Sequence, residues 1–257
     1  IRFGLGAMSG VGEGAVASIV ECRKEEPYKS IFDFAVKVSL KDCNKRVFEA
    51  LARGGGFDDL PQPILRAQCF AEDIKGRTNI ELAIRYGQAT QESANSAQAS
   101  LFGGDSGAME IPEPPIPECE EWAPFDKLAR EKEVVGVYLS GHPLDQFKVQ
   151  MQQFCTPGGL ANLENLEAAR GRTVAFCGLI TAAEHKMGKN GRPWGEMTVE
   201  DYHGSRRFPF YRDDYLKFKD YMVDGWFIFV KWKAQMKQFR GAEEMEFKVQ
   251  RIELLSD

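Results

Sequence analysis

Three kinds of residue pattern are missing, and each absence removes a class of function. No apolar run approaches the eighteen or so residues of a membrane span, so no membrane partner is expected. The six cysteines, Cys22, Cys43, Cys69, Cys119, Cys155 and Cys177, are scattered and include no C-x-x-C. That spacing argues against a zinc site and against a disulfide framework, and it suits a reducing cytoplasm. Neither a P-loop nor a cluster of carboxylates is present, which disfavours a nucleotide-driven motor and a nuclease. Ile1 opens a patterned run rather than a charged-then-apolar leader, so the chain is expected to be a piece of a longer polypeptide.

What is present suits ordinary folded domains: 257 residues, 43% apolar and 28% charged, enough for two cores. The net charge of −5 is unevenly spread. Residues 1–60 carry nine basic and nine acidic side chains, residues 61–170 nine and sixteen, and residues 171–257 fifteen and thirteen. The two ends are therefore the candidates for touching phosphate.

GAMSGVGEGAVASIVECR, residues 6–23, reads as a short helix, a tight turn and a longer helix opened by Glu13. A Gly-x-Gly turn ahead of a helix exposes backbone N–H groups that suit a phosphate oxygen. The same glycines also serve a plain helix hairpin that needs positive φ. Ser30 is a candidate N-cap for SIFDFAVKV, and Asn44 for KRVFEALARGG, whose Val47, Phe48, Leu51 and Ala52 share a face. Lys45 and Arg46 oppose the dipole of that helix, so either they serve an external anion or they are solvated surface charges.

After Pro61 and Pro63, residues 64–86 read as helical, Gly87 to Gly107 as unstructured, and IPEPPIP, residues 111–117, as a stiff spacer. Within the polar stretch, Leu101 and Phe102 stand together behind Gln98. A flexible segment can present such a pair to a pocket at modest ordering cost. His142, beside Pro143, reads as structural. Glu200 and Asp201 are neighbours on a strand, point to opposite faces and cannot share a metal pair.

From Thr173 the period becomes two. Strands are expected over 173–185, 195–201, 205–211, 226–236 and 243–254, with a helix over 212–223 whose Tyr215, Leu216, Phe218 and Met222 plug a barrel. Gly178 marks a bend in the first strand. Three strands, a helix and two strands is the order of an OB-fold, a five-stranded Greek-key barrel. Such barrels bind single strands with basic loops and stacking aromatics. Here the candidates are Lys186, Lys189, Arg192 and Trp194 around the first loop, Arg206 and Arg207 on strand three, Lys231 and Lys233 on strand four, and Lys237, Phe239 and Arg240 at the second loop.

Three segments in order, IRFGLGAMSGVGEGAV (1–16), NKRVFEALARGGGFDDL (44–60) and EKEVVGVYLSGHPLD (131–145), together resemble the bacterial DNA polymerase III alpha subunit, the replicative polymerase of the DnaE type. The resemblance implies a multidomain α + β chain: a tandem helix-hairpin-helix domain over 1–60, a helical and partly disordered linker over 61–170, and an OB domain over 171–257. It implies duplex contact by Gly10, Val11, Gly12 and Gly14, with Lys45 and Arg46 from a second hairpin whose LKDCN lacks the G-x-G. Gln98-Ala99-Ser100-Leu101-Phe102 resembles the peptide with which bacterial replication proteins bind the sliding clamp. The implied partners are duplex and single-stranded DNA, the clamp, the polymerase core of the same polypeptide and other replisome subunits. Polymerisation and its Mg2+ belong to a palm domain outside this chain, so no cofactor and no catalytic residue are expected here. A reading from another class is a protein-interaction scaffold without direct DNA contact.

Overall fold

A computed structural model describes residues 4–100, 111–164, 168, 170–239 and 242–255. Contacts divide the chain into two units, Ile1–Gly141 and His142–Asp257. The stretch 61–170, expected as one linker, is thus shared between them, because its two halves pack on different cores. Among the described residues no helix is long and apolar enough to cross a membrane.

The first unit is helical. A single 3-10 turn, Leu5–Ala7, precedes α1 (Glu13–Glu25), α2 (Ile31–Lys37), α3 (Lys45–Arg53), α4 (Arg66–Phe70), α5 (Asn79–Ser100) and α6 (Pro124–Val135). Both expected caps form: Ser30 Oγ accepts the Asp33 N–H at 3.0 Å, and Asn44 Oδ1 accepts from Arg46 and Val47. The core gathers Phe32, Phe34, Phe48, Leu51 and Phe57, with Phe34 edge-on to Phe48 at 5.0 Å and to Phe57 at 5.2 Å.

Residues 64–86 are not one helix. A turn with Gly76 at φ +70° separates α4 from α5. Nor does the chain lose structure at Gly87, because α5 runs through it to Ser100. Gly87 is a packing glycine: a Cβ there would strike the Ala35 carbonyl of α2. One turn on, Gln91 Nε2 donates to the carbonyls of Val36 (2.9 Å) and Val38 (3.0 Å) and so satisfies the end of α2. The proline-rich segment 111–117 has no regular structure but is held: Gln68 donates to the Pro117 carbonyl, and Trp122 lies 5.3 Å from the Phe70 ring.

The second unit contains α7 (Lys148–Phe154), β1 (Thr173–Met187), β2 (Pro193–Asp201), β3 (Gly204–Tyr211), α8 (Arg212–Phe218), β4 (Phe227–Phe239) and β5 (Ala242–Leu254). The antiparallel order is β3-β2-β1-β4-β5. β1 pairs with β4 over Thr173–Leu179 and with β2 from Leu179 onward, so it turns the corner of the sheet at Gly178. A Cβ at Gly178 would collide with Val199, which explains the glycine by close approach as well as by bending. Phe208 of β3 meets Phe247 of β5 at 5.3 Å, bringing the two edge strands together. This is the five-stranded OB arrangement. Tyr215, Phe218 and Met222 plug it as expected, whereas Leu216 is 57% exposed. Two of the scattered cysteines meet here as free thiols, Cys155 Sγ lying 3.2 Å from Cys177 Sγ beneath the end of α7.

The segment EKEVVGVYLSGHPLD is explained by two anchors, one in each unit. Glu131 is fully buried and accepts from Leu139 N, Ser140 N and Oγ, and Arg66 Nη1 (3.1 Å). Arg66, also buried, reaches Asp58 at 2.7 Å and the Arg53 carbonyl at 3.1 Å. His142 and Asp145 cap the 3-10 turn Pro143–Phe147: Leu144 N–H donates to His142 Nδ1 and His142 N–H to Asp145. Tyr202 Oη donates to the same carboxylate and its ring stacks on His142 at 4.1 Å. Burial lowers the His142 pKa, and the role is structural, as the sequence suggests.

Burial by itself would raise the Glu131 pKa, but the bonds from Ser140, Leu139 and Arg66 outweigh it and leave the carboxyl below its usual 4.5. Because the folded value is the lower one, the stabilisation is complete above about pH 4.5 and is lost as pH falls through the folded value. Glu131→Ala, which strands Arg66 and three donors, is expected to destabilise the first unit by about 3 kcal/mol or more. Urea titrations at pH 7 and pH 3 check this: the gap between wild type and variant should be wide at pH 7 and should narrow at pH 3.

Candidate nucleic-acid interfaces

The first hairpin turn is built for approach by something outside it. Gly10 has φ +93°, and the Arg46 side chain from α3 crosses directly over it, its Nε 2.9 Å from where a Cβ would stand. Val11 is buried and anchors the turn in the core. Gly12 is the N-cap of α1 and offers no side-chain cap. The first-turn amides of α1 therefore lack an intrahelical acceptor. A Cβ at Gly12 would meet nothing within 4 Å, so this face of the turn is open.

Not every expected duplex contact fits. The Val11 N–H is already bonded to the Met8 carbonyl at 3.2 Å, so it has no proton to give a phosphate. Gly14 faces Asp42, whose Oδ1 would lie 3.2 Å from a Cβ there, and a carboxylate repels an anion. Lys45 bridges to Glu81 of α5 at 2.8 Å and to Glu49 at 3.8 Å; the bond to Glu81 chiefly raises its pKa. Its charge is answered within the fold. Arg46, by contrast, is exposed and makes no ion pair among the described residues. The second hairpin differs from the first for a visible reason: Asn44 consumes the amides of Arg46 and Val47, which the uncapped Gly12 turn leaves open.

On the barrel, the outward side chains of β1–β3 form rows. Lys186, Trp194 and Tyr211 stand side by side, and Trp194 stacks on Tyr211 at 5.4 Å with Lys186 Nζ 5.1 Å from its ring centre. Trp194 is half-buried and Tyr211 is 56% exposed. The alternation of β3 places Tyr211 on the same outward face as Arg207, with Pro209 between them. Lys189 and Arg192 are exposed in the β1–β2 loop, which closes with Gly188 N–H on the Arg192 carbonyl.

Carboxylates share this face. Lys186 pairs with Glu184 and, at 2.6 Å, with Glu196; these bonds lower the Glu184 pKa and raise that of Lys186. Arg207 lies 3.9 Å from Glu196 with its side chain 71% exposed. Arg206 points the other way: Nη1 donates to the Leu163 carbonyl at 3.0 Å and the guanidinium lies over Phe247, so it serves the barrel and not the expected groove. Lys231 is on the outer face of β4, 5.7 Å from the Phe229 ring, away from β2 and β3. Phe239 ends β4, and Arg240 lies outside the described residues.

Gln98 falls in the last turn of α5, while Leu101 and Phe102 lie outside the described residues. Among the described residues no three His, Cys, Asp or Glu side chains converge as metal ligands. Asp201 is buried and spends its oxygens on Leu160 N–H and His203 N–H, both at 2.7 Å.

A helix-hairpin-helix motif model matches residues 1–68. The DNA polymerase III alpha subunit of Saccharopolyspora erythraea is 31% identical over 245 residues, covering 93% of this chain and 20% of that protein. That of Neisseria meningitidis is 35% identical over 205 residues, 79% of this chain and 16% of the relative. Among solved structures, a small single-stranded DNA-binding protein from Streptomyces coelicolor aligns over 32% of this chain and 92% of its own, at 11% identity and a TM-score of 0.19. The chain thus spans about a fifth of the length of the relatives it matches. Similarity along nearly all of the chain, with a helix-hairpin-helix in its first 68 residues, fits it to a C-terminal fragment of the DNA polymerase III alpha subunit.

Proposed function

We propose that this chain is the non-catalytic, DNA-handling and clamp-tethering portion of a bacterial replicative polymerase. The first hairpin receives a phosphate of duplex DNA. The barrel stacks bases of a single strand on Trp194 and Tyr211. The segment from Gln98 to Phe102 engages the sliding clamp. The observation that carries the reading is the meeting of the uncapped Gly10–Gly12 turn with the unpaired Arg46. Open amides at a helix start and one free guanidinium are the two components of a backbone phosphate site.

Duplex contact has a sharp test. Gly12→Val puts a side chain into open space at an ordinary φ of −82°. It is expected to fold normally and to weaken duplex binding by obstructing the amides. Arg46→Gln should weaken binding evenly across sequences and reduce the salt slope by about 0.9. Lys45→Gln should leave that slope unchanged, since its charge is spent on Glu81. Fluorescence anisotropy with a duplex oligonucleotide across a salt series reads all three. A scaffold without DNA contact would show no salt-dependent binding at all.

Stacking on the barrel is tested by Trp194→Ala, expected to cost about 1–3 kcal/mol of affinity for oligo-dT. An unchanged titration would remove Trp194 from the site.

The tether is tested by titrating the chain with a bacterial sliding clamp. Burying a Leu and a Phe supplies roughly 3–6 kcal/mol before ordering costs, a modest affinity that is workable when both partners sit on one DNA. Leu101→Ala with Phe102→Ala is expected to abolish binding, and equal binding of wild type and variant would place the clamp contact elsewhere.

A further inference from the structure

The β2–β3 face carries two cations, Lys186 and Arg207, against three carboxylates, Glu184, Glu196 and Glu200. It suits bases better than phosphates. The opposite balance holds on the outer face of β4 and β5. There Lys231 stands directly across from Arg251, and Lys233 directly across from Lys248. Like charges opposed on antiparallel strands destabilise the pair, and here two such pairs follow one another on one face. Arg251 is met by Glu253, and Glu246 lies one row further, beside Gln235. Lys233 and Lys248 make no ion pair among the described residues. In the same rows β1 contributes Ala175, which is buried in a cluster with Met151 and Cys155 packed against it, and the exposed Thr173, which leaves the Lys233 row open from that side.

We propose that the β4–β5 outer face is a phosphate-binding track for single-stranded DNA, with Lys233 and Lys248 as its centre and Lys231 and Arg251 continuing it. The fold tolerates the opposed cations because their repulsion is relieved by an external polyanion. Residues two apart along a strand are about 7 Å apart, close to the spacing of successive phosphates in an extended single strand. α7 packs on the neighbouring Ala175, Cys177 and Phe229 of this face, so the open stretch is the one centred on Lys233 and Lys248. The inference rests on the DNA-handling reading and specifies where on the barrel the backbone runs.

The test is oligo-dT binding by the full chain across a salt series, with a duplex titrated in parallel. Lys233→Gln with Lys248→Gln is expected to reduce the single-strand salt slope by about 1.4, two phosphates' worth, and to leave the duplex slope unchanged. The same variant should unfold at a higher temperature than wild type, because the repulsion is gone; weaker binding by a more stable protein is not misfolding. Lys219→Gln, elsewhere on the unit, controls for net charge. An unchanged single-strand slope overturns the proposal, and so does a loss confined to duplex. If that happens while Arg46→Gln still lowers duplex affinity, the track fails and the DNA-handling reading stands. If wild type binds neither DNA, both fail.

Discussion

The first unit depends on one buried ion pair. Arg66 and Glu131 lie 3.1 Å apart with almost no solvent contact. Desolvating two charges is expensive, and their attraction alone seldom repays it. Here repayment comes from the number of bonds: Glu131 takes donors from Leu139, Ser140 and Arg66, while Arg66 satisfies Asp58 and the last carbonyl of α3. The pair pins α6 against α3 and α4. Once α6 is pinned, the Val134 carbonyl accepts the Ser9 N–H at 2.7 Å, immediately before Gly10. The geometry of the Gly10–Gly12 turn is therefore inherited from a carboxylate more than a hundred residues away in sequence.

Carboxylates in the second unit are likewise committed to structure. Asp145 ties the start of the unit to the β2–β3 turn through Tyr202, and Asp201 holds Leu160 and His203. An adjacent acidic pair on a strand invites a metal-site reading. The period-two argument rejects it, and the bonds of Asp201 show what that side chain does instead.

Regular repetition made the barrel legible. Alternation along 226–236 and 243–254 predicts β4 and β5 within a few residues, and Gly178 marks the point where β1 changes partners. The second half of α5 is not legible in the same way, because Ala, Ser, Asn and Gln after Gly87 have linker composition. Ala and Gln are also good helix formers, and the glycine is there to clear a carbonyl of α2, which no local pattern reveals. The same limit governs the site. Glu81, which neutralises Lys45, is 36 residues away, and the Leu163 carbonyl that captures Arg206 is 43 away. Which cations remain free is a tertiary fact, and composition cannot rank them.

For a chain of net charge −5 that fact outweighs the overall sum. Binding to phosphate depends on unpaired cations and open amides, not on the overall sum. Lys45, Lys186 and Arg206 are spent on the fold, while Arg46, Lys233 and Lys248 are not. Among the described residues the free groups include those of one hairpin turn and one sheet face, and Lys189 and Arg192 are exposed in the β1–β2 loop. Where the free cations stand, rather than how many charges the chain carries in total, therefore sets where a phosphate is attracted.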